Sequence, residues 1–551
     1  MSVLFDTAQN WLNQDPDVET HAELTALLSA AKGGDAKAQA ELAERFSGRL
    51  QFGTAGLRGR LQAGSMGMNR VLVAQAAGGL ALFLKEYDKQ PSIVIGYDGR
   101  KNSDVFARDT AEIMAGAGIK AYLLPRKLPT PVLAYAIQYF DTTAGVMVTA
   151  SHNPPEDNGY KVYLGKANGG GQIVSPADKQ IAALIDKVAA GSIKDLPRSQ
   201  DYAVLDDTVV DAYIAKTASL AKEPQTDINY VYTAMHGVGY EVLSKTLTKA
   251  GLPQPHIVAE QVWPDGTFPT VNFPNPEEKG ALDLAIKVAK ENNAEFIIAN
   301  DPDADRLAVA IPDAEGNWKP LHGNVVGCFL GWYLAKQYQA QGKKAYWRVL
   351  SCLRRRWRKS LSAMVSDRKK PSPASNISAK YRAYYLALKK PLATWLTRIK
   401  CATKTVSPPP LCSWIVRHLK KQGKTLADYA AEFISEFGAY VSGQISIRVS
   451  DLSEIGKLMT ALRNNPPSQI GGFNVAQFID HTKTDRQSDI LVFVLENGSR
   501  LIARPSGTEP KIKFYLDARG TDPKNADQVL ADFDAAVRAI LRQEAYGKQD
   551  C

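Results

Sequence analysis

The feature that most constrains this chain is an alternation. Short apolar runs rich in β-branched residues recur, each followed by a stretch with helical spacing. "PSIVIGYDGR" reads as a strand ending in a polar turn, "SDVFARDTAEIMAGAGI" as a helix and "KAYLLP" as the next strand. "TPVLAYAIQYF" reads as another helix, and "AGVMVTASHNPP" as a strand running into a loop. The pattern returns in "NYVYTAMHGVG", "EVLSKTLTKAGL", "EKGALDLAIKVAKENNA" and "EFIIANDPDADRLAVAI". Strands alternating with helices predict a parallel sheet covered by helices, with active loops beyond the carboxyl ends of its strands. The C-terminal stretch differs: "DILVFVLENGSRLIARPSGTEPKIKFYLDAR" reads as adjacent strands joined by turns, closed by the helix "KNADQVLADFDAAVRAILRQEA". At 551 residues the chain is too long for one core.

Four polar loops carry chemistry. "TASHNPPEDNGYKVY" (149–163) sets Ser151 beside His152. The plain reading is a turn whose side chains satisfy backbone groups. A hydrolytic triad fits poorly, because the motif is not GxSxG and adjacent residues of a strand point to opposite faces. In "NDPDADRLAVA" (300–310), Asp301, Asp303 and Asp305 alternate and Arg306 follows. Three carboxylates this close repel unless a cation neutralises them, and oxygen ligands favour Mg²⁺. A solvated acidic turn is the alternative, weakened by the apolar strands on both sides. "ARPSGTEPKIKFY" (503–515) offers the guanidinium of Arg504, the hydroxyls of Ser506 and Thr508, the backbone of Gly507 and the ammonium of Lys511. That is the composition of a phosphate cradle, although a plain hairpin turn would also fit "PSG". "FGTAGLRGR" (52–60) puts Arg58 forward on a glycine-rich loop.

A serine, a three-carboxylate site and a separate phosphate cradle together fit phosphoryl transfer. With "TASHNP", "DPDADR" and "RPSGTEPK", the chain resembles the α-D-phosphohexomutases, the phosphoglucomutases and phosphomannomutases. "FGTAGLRG", "YDGR", "MHGVG" and the long N-terminal leader are similar to the subgroup that includes phosphopentomutases. The resemblance covers residues 1–345 and 417–551. It implies three similar α/β domains and a smaller α+β C-terminal domain, here 1–205, 206–320, 321–440 and 441–551.

It also implies that Ser151 carries a phosphate and passes it to a sugar monophosphate, most simply a hexose phosphate, through a bisphosphate intermediate. Mg²⁺ on Asp301, Asp303, Asp305 and the Ser151 phosphate, and a sugar 1,6-bisphosphate primer, are the implied cofactors. Lys161 and Arg58 would flank the serine, with Lys161 a general acid/base if nearby cations lower its pKa. The plain alternative is a surface lysine. His152 would shape the loop. Arg306 and the cradle around Arg504, Ser506, Gly507, Thr508 and Lys511 would bind phosphate. One local departure is Gly67, where similar proteins tend to carry arginine, which puts a minor phosphate contact in doubt.

The larger departure is a basic block. Residues 346–416 hold 16 Lys and Arg and one acid, Asp367, leaving a net −5 on the rest of the +10 chain. The block has no Gly, yet it has four of the eight Trp and three of the five Cys. The sugar loop with two adjacent glutamates and the "DKDG" motif of the family are missing from it. A nucleic-acid patch is one reading of the clustered arginines and tryptophans. An out-of-frame translation is the other, and the genetic code tests it. Each new codon takes the third base of one codon and the first two of the next. With suitable synonymous codons, "PSPASN" (371–376) then reads TLTGFK, "LALKKPLAT" (386–394) reads FGFEEALGY and "ATKTVSPP" (402–409) reads RDKDGVSA. Three missing motifs emerge in order and in one frame. Two compensating single-base changes, near 346 and near 416, would account for the block and for its basic character. The third domain is then expected to be disrupted, with an incomplete core, and the chain to be a poor mutase.

The rest of the composition is bland. Five scattered cysteines without CxxC suit a reducing compartment. No basic-then-apolar leader and no run of about 18 apolar residues occurs, so neither a signal peptide nor a membrane span is expected. The expected setting is cytoplasmic. The expected partner is a phosphosugar, with no nucleic acid or membrane, and the expected state is a monomer or weak dimer.

Overall fold

The computed structural model describes residues 2–53, 56–219, 227–313, 315–321, 326, 329–330, 333, 408–448, 452–484, 488–505 and 511–546. The described residues fall into two compact units, one containing 2–330 and 408–423, the other 333 and 424–546.

The first unit holds two sheets. One contains β1 (Leu57–Arg60), β2 (Ser92–Tyr97), β3 (Lys120–Leu123), β4 (Ala144–Val148), β5 (Asp157–Leu164), β6 (Gly171–Gln172) and β7 (Ala203–Val204). Their order is β1-β5-β4-β2-β3-β7, with β6 beside β5. The predicted parallel arrangement holds for β4, β2, β3 and β7. It fails at β5, which runs antiparallel to β4 and β1. The connection 149–156 is too short for the crossover that a parallel partner requires, so the chain turns straight back.

The second sheet repeats this device. It is built from β8 (Tyr230–Thr233), β9 (His256–Ile257), β10 (Phe296–Asn300), β11 (Leu307–Pro312) and β12 (Trp318–Leu321), in the order β12-β11-β10-β8-β9. β9, β8 and β10 are parallel, while β11 returns antiparallel to β10 across residues 301–306. In both sheets the chemistry-bearing loop thus joins a central strand to an antiparallel neighbour.

Both strands that deliver these loops, β4 and β10, are buried along their whole length. Helix Arg70–Tyr87 is apolar nearly all round and sits in the core with Ile93, Ile95, Val146 and Val148. Each such fully buried aliphatic side chain contributes about 1.5–3 kcal/mol. The N-terminal helices Ser2–Leu12, Val18–Lys32 and Ala36–Arg45 join the same core through Trp11, Leu24, Leu28 and Leu42. Asp17 and Asp35 start the second and third of them by accepting from backbone amides of the first turn. A further core joins Val94, Leu133 and Met147 to Tyr213 and Val242, so the first sheet shares a core with the helix Gly239–Lys249 that follows β8. Helix Pro408–Lys420 straddles the end of the basic block. Its buried Arg417 donates to the Gly251 carbonyl at 3.2 Å, and Lys420 pairs with Glu295 at 2.6 Å.

The second unit contains an antiparallel sheet of six strands, β13 (Ala439–Arg448), β14 (Gln469–Ile470), β15 (Phe473–Asp480), β16 (Leu491–Leu495), β17 (Arg500–Pro505) and β18 (Lys511–Gly520). Helices Leu452–Asn464 and Pro523–Tyr546 supply Met459, Phe533 and Val537 to its core. This is the expected α+β arrangement. Most of the expected third α/β domain, and with it the recovered sugar motifs at 371–376 and 386–394, lies outside the described residues.

Candidate active site

β4 ends at Val148, and the next residues turn sharply. Ser151 adopts a left-handed backbone with φ 56°, a conformation unfavourable for a residue with a Cβ. The Thr149 hydroxyl supports the turn by accepting from the Ser151 amide at 2.8 Å. Ser151 is fully buried, and its Oγ donates to Asp301 Oδ2 at 2.7 Å, joining positions 150 residues apart. Neighbouring Ser and His side chains do not diverge here as they would on a strand: the turn brings His152 Nδ1 to 3.3 Å from Ser151 Oγ. Burial, together with the cations Arg306, Arg58 and Lys161, holds the His152 imidazole well below its usual pKa, so the ring is neutral at pH 7.

The turn is clamped from inside by Arg100. This buried guanidinium donates to four carbonyls of the loop: Ser151 at 2.8 Å, Asn153 at 2.5 Å, Pro154 at 2.8 Å and Asp157 at 2.9 Å. It also lies 4.8 Å from the ring centre of Phe268, which belongs to the half of the unit built on the second sheet. The motif "YDGR" gives no sign of this role for Arg100, because a guanidinium that satisfies distant backbone carbonyls leaves no periodic signal. Arg100→Met should lower stability by about 3–5 kcal/mol, since it removes four charged hydrogen bonds to backbone carbonyls and the guanidinium that lies 3.7 Å from the buried Asp98. Denaturant unfolding of the two proteins checks this. A loss below about 1 kcal/mol would mean that the loop holds itself.

The acidic loop follows β10. Asp301, Asp303 and Asp305 are all buried, and one carboxylate oxygen from each lies within 4.8 Å of the others. Ala304 takes the left-handed conformation that folds the three inward, with φ 53°. The Arg306 amide donates to Asp301 Oδ1 at 2.9 Å, and its Nε sits 3.8 Å from Asp301 Oδ2. Burial and then the charges of Asp303 and Asp305 push the Asp301 carboxyl well above the usual range. Three buried carboxylates that resist joint ionisation form a hard-oxygen donor set, and a divalent cation would relieve their repulsion. The loop is also backed by "MHGVG". The Val238 amide donates to the Pro302 carbonyl at 2.8 Å, and a Cβ on Gly237 would lie 2.3 Å from Pro302 Cα. Only glycine fits there.

Lys161 is not the surface lysine of the plain reading. It is buried on β5, with Nζ 2.5 Å from Asp303 Oδ2 and 3.1 Å from Asp305 Oδ2. A pKa lowered by cations was the condition for a basic role, and the structure reverses it. Burial disfavours the ammonium, but Asp303 and Asp305 outweigh burial and raise its pKa above the ordinary value. Arg58 lies on β1, which pairs with β5, and its Nη1 donates to Asn153 Oδ1 at 2.9 Å. The first unit therefore brings together Ser151, His152, Lys161, Arg58, Arg306 and the three aspartates. At Gly67 the chain leaves no room for a side chain, because a Cβ would lie 2.4 Å from Gln62 Cγ.

The predicted cradle belongs to the second unit. Arg504 lies on β17 opposite Lys513, and Lys511 opens β18, so the motif joins two antiparallel strands. Ser506, Gly507 and Thr508 lie outside the described residues.

The family models decide the class. Residues 49–191 match phosphoglucomutase/phosphomannomutase, alpha/beta/alpha domain I; residues 211–316 match domain II; and residues 445–536 match the C-terminal domain. The chain belongs to the phosphoglucomutase/phosphomannomutase family. It is a phosphosugar mutase, an isomerase that works by intramolecular phosphotransfer. It is 78% identical to a probable phosphomannomutase of Haemophilus influenzae over 494 residues, covering 88% of this chain and all of that protein. It is 28% identical to a phosphopentomutase of Mus musculus over 595 residues, covering 97% and 93% of the two chains. Its fold is like that of a putative phosphomannomutase from Thermus thermophilus, with TM-score 0.62, 20% identity and coverage of 90% and 99%. Among the described residues of this mutase, no helix is long and apolar enough to cross a membrane.

Proposed function

We propose that this mutase interconverts hexose 1-phosphates and hexose 6-phosphates, with Ser151 as the phosphoryl carrier. The contact between Ser151 Oγ and Asp301 Oδ2 carries the reading, since it places the hydroxyl against the acidic trio. In the first half-reaction the bond between phosphorus and Ser151 Oγ breaks and a bond to the free sugar hydroxyl forms. That hydroxyl gives up its proton, and Ser151 Oγ ends protonated. The bisphosphate then reverses in the site and returns its other phosphoryl group to Ser151. Asp301, Asp303, Asp305 and Ser151 would hold Mg²⁺, whose charge would offset the charge on the transferring group. Lys161 enters as an ammonium and so acts first as an acid. His152 shapes the loop, and Arg58 orients it through Asn153. Arg306 and the Arg504, Ser506, Gly507, Thr508 and Lys511 cradle bind phosphate, the cradle holding the group that is not reacting. A hexose 1,6-bisphosphate primes the cycle.

The domains follow the boundaries 1–205, 206–320, 321–440 and 441–551, in a cytoplasmic monomer or weak dimer that binds neither nucleic acid nor membrane. Residues 346–416 are an out-of-frame reading of the third domain, and sequencing the gene across that region decides this point. The hexose reading is favoured over a pentose one because 78% identity to a probable phosphomannomutase outweighs 28% to a phosphopentomutase. Assays of the frame-restored chain on glucose, mannose and ribose phosphates should give hexose turnover that needs both Mg²⁺ and the primer, and that stops on chelation. Turnover of ribose phosphate alone would replace the substrate. Salt-sensitive DNA binding without phosphosugar turnover would remove the proposal.

A further inference from the structure

Thr130 opens the helix Thr130–Tyr139, which lies against β2 and β4 of the first sheet, while Asp303 follows β10 of the second. Thr130 is buried and reaches Asp303 twice. Its amide donates to the Asp303 carbonyl at 2.9 Å, and its Oγ1 donates to Asp303 Oδ2 at 2.6 Å, across 173 residues of chain. A threonine inside a helix commonly turns its hydroxyl back to a carbonyl one turn earlier. At the first position no such helical carbonyl exists, so the hydroxyl is available to aim outward. The carboxylate oxygen it meets is the one that Lys161 Nζ also contacts.

We infer that Thr130 is a positioning residue for Asp303. It fixes the orientation of that carboxylate before an ion arrives, and the inference rests on the metal-centre reading above. Lys161 has a long, flexible stem and sets charge rather than direction. Thr130 sits on a rigid helix end, with χ1 restricted by branching. Its backbone contact ties the acidic loop to the first sheet, and its hydroxyl orients the side chain. The two roles can be separated, because Thr130→Val keeps the shape and the backbone donor and removes only the O–H.

Titration calorimetry of the full chain with Mg²⁺ alone, with no sugar and no turnover, reads the effect. Thr130→Val should weaken Mg²⁺ binding by about 10–100-fold, the range for residues that orient metal ligands. Thr130→Ser should restore most of it, and the melting temperatures of the two variants should match. Wild-type Mg²⁺ affinity in Thr130→Val, alongside weak binding in Asp303→Asn, would overturn the inference and leave the metal centre standing. Wild-type affinity in Asp303→Asn as well would overturn the metal-centre reading and this inference with it. Should Thr130→Val fail to fold, Thr130→Ala against Thr130→Ser makes the same comparison.

Discussion

Replacing Ser151 by alanine should lower hexose phosphate turnover by at least about 10³-fold in a frame-restored chain, because removing the proposed covalent carrier would leave only binding and electrostatics. The fold should survive. The left-handed turn does not depend on the Ser151 hydroxyl. It is held by Thr149 Oγ1 on the amide of residue 151 and by four donations from Arg100 to backbone carbonyls. The substitution removes one hydrogen bond to Asp301, a loss of about 0.5–1.5 kcal/mol. A large kinetic effect with a small change in melting temperature is therefore the expected pair of results. Near-full activity in Ser151→Ala would require direct transfer between sugars.

The second large effect is expected from the reading frame. Restoring residues 346–416 should raise turnover by roughly 10²–10⁴-fold. In the proposed frame the segment regains two adjacent glutamates that would hold sugar hydroxyls, and each charged hydrogen bond contributes about 1.5–3 kcal/mol. In the proposed cycle the bisphosphate stays bound while it reverses, so these contacts would act on every turnover. Parallel expression and assay of the two chains reads the ratio. Equal turnover would show that the basic block is a working part of the protein.

Much of this was legible in the chain, and the limits have physical causes. The strands before Ser151 and Asp301 announced themselves as apolar runs because both are buried on two faces. The return of β5 and β11 was not announced by periodicity. It follows from loops too short for a crossover, a length argument rather than a pattern. The pairing of Ser151 with Asp301 came only through the resemblance, since no local rule joins residues so far apart. Lys161 was placed beside Ser151 only through the resemblance, and its burial was not legible because its partners, Asp303 and Asp305, arrive from another sheet. Arg100 and Thr130 act on backbone and carboxylate groups from distant segments, and their neighbours in sequence give no hint of it.

The most direct measurement is the mass of the Ser151 peptide. The frame-restored protein is incubated with a hexose 1,6-bisphosphate, digested and analysed, and is then chased with a hexose monophosphate. One phosphate should be found on the peptide containing Ser151, and it should be lost to the sugar during the chase. Full turnover with that peptide unmodified throughout would contradict the account.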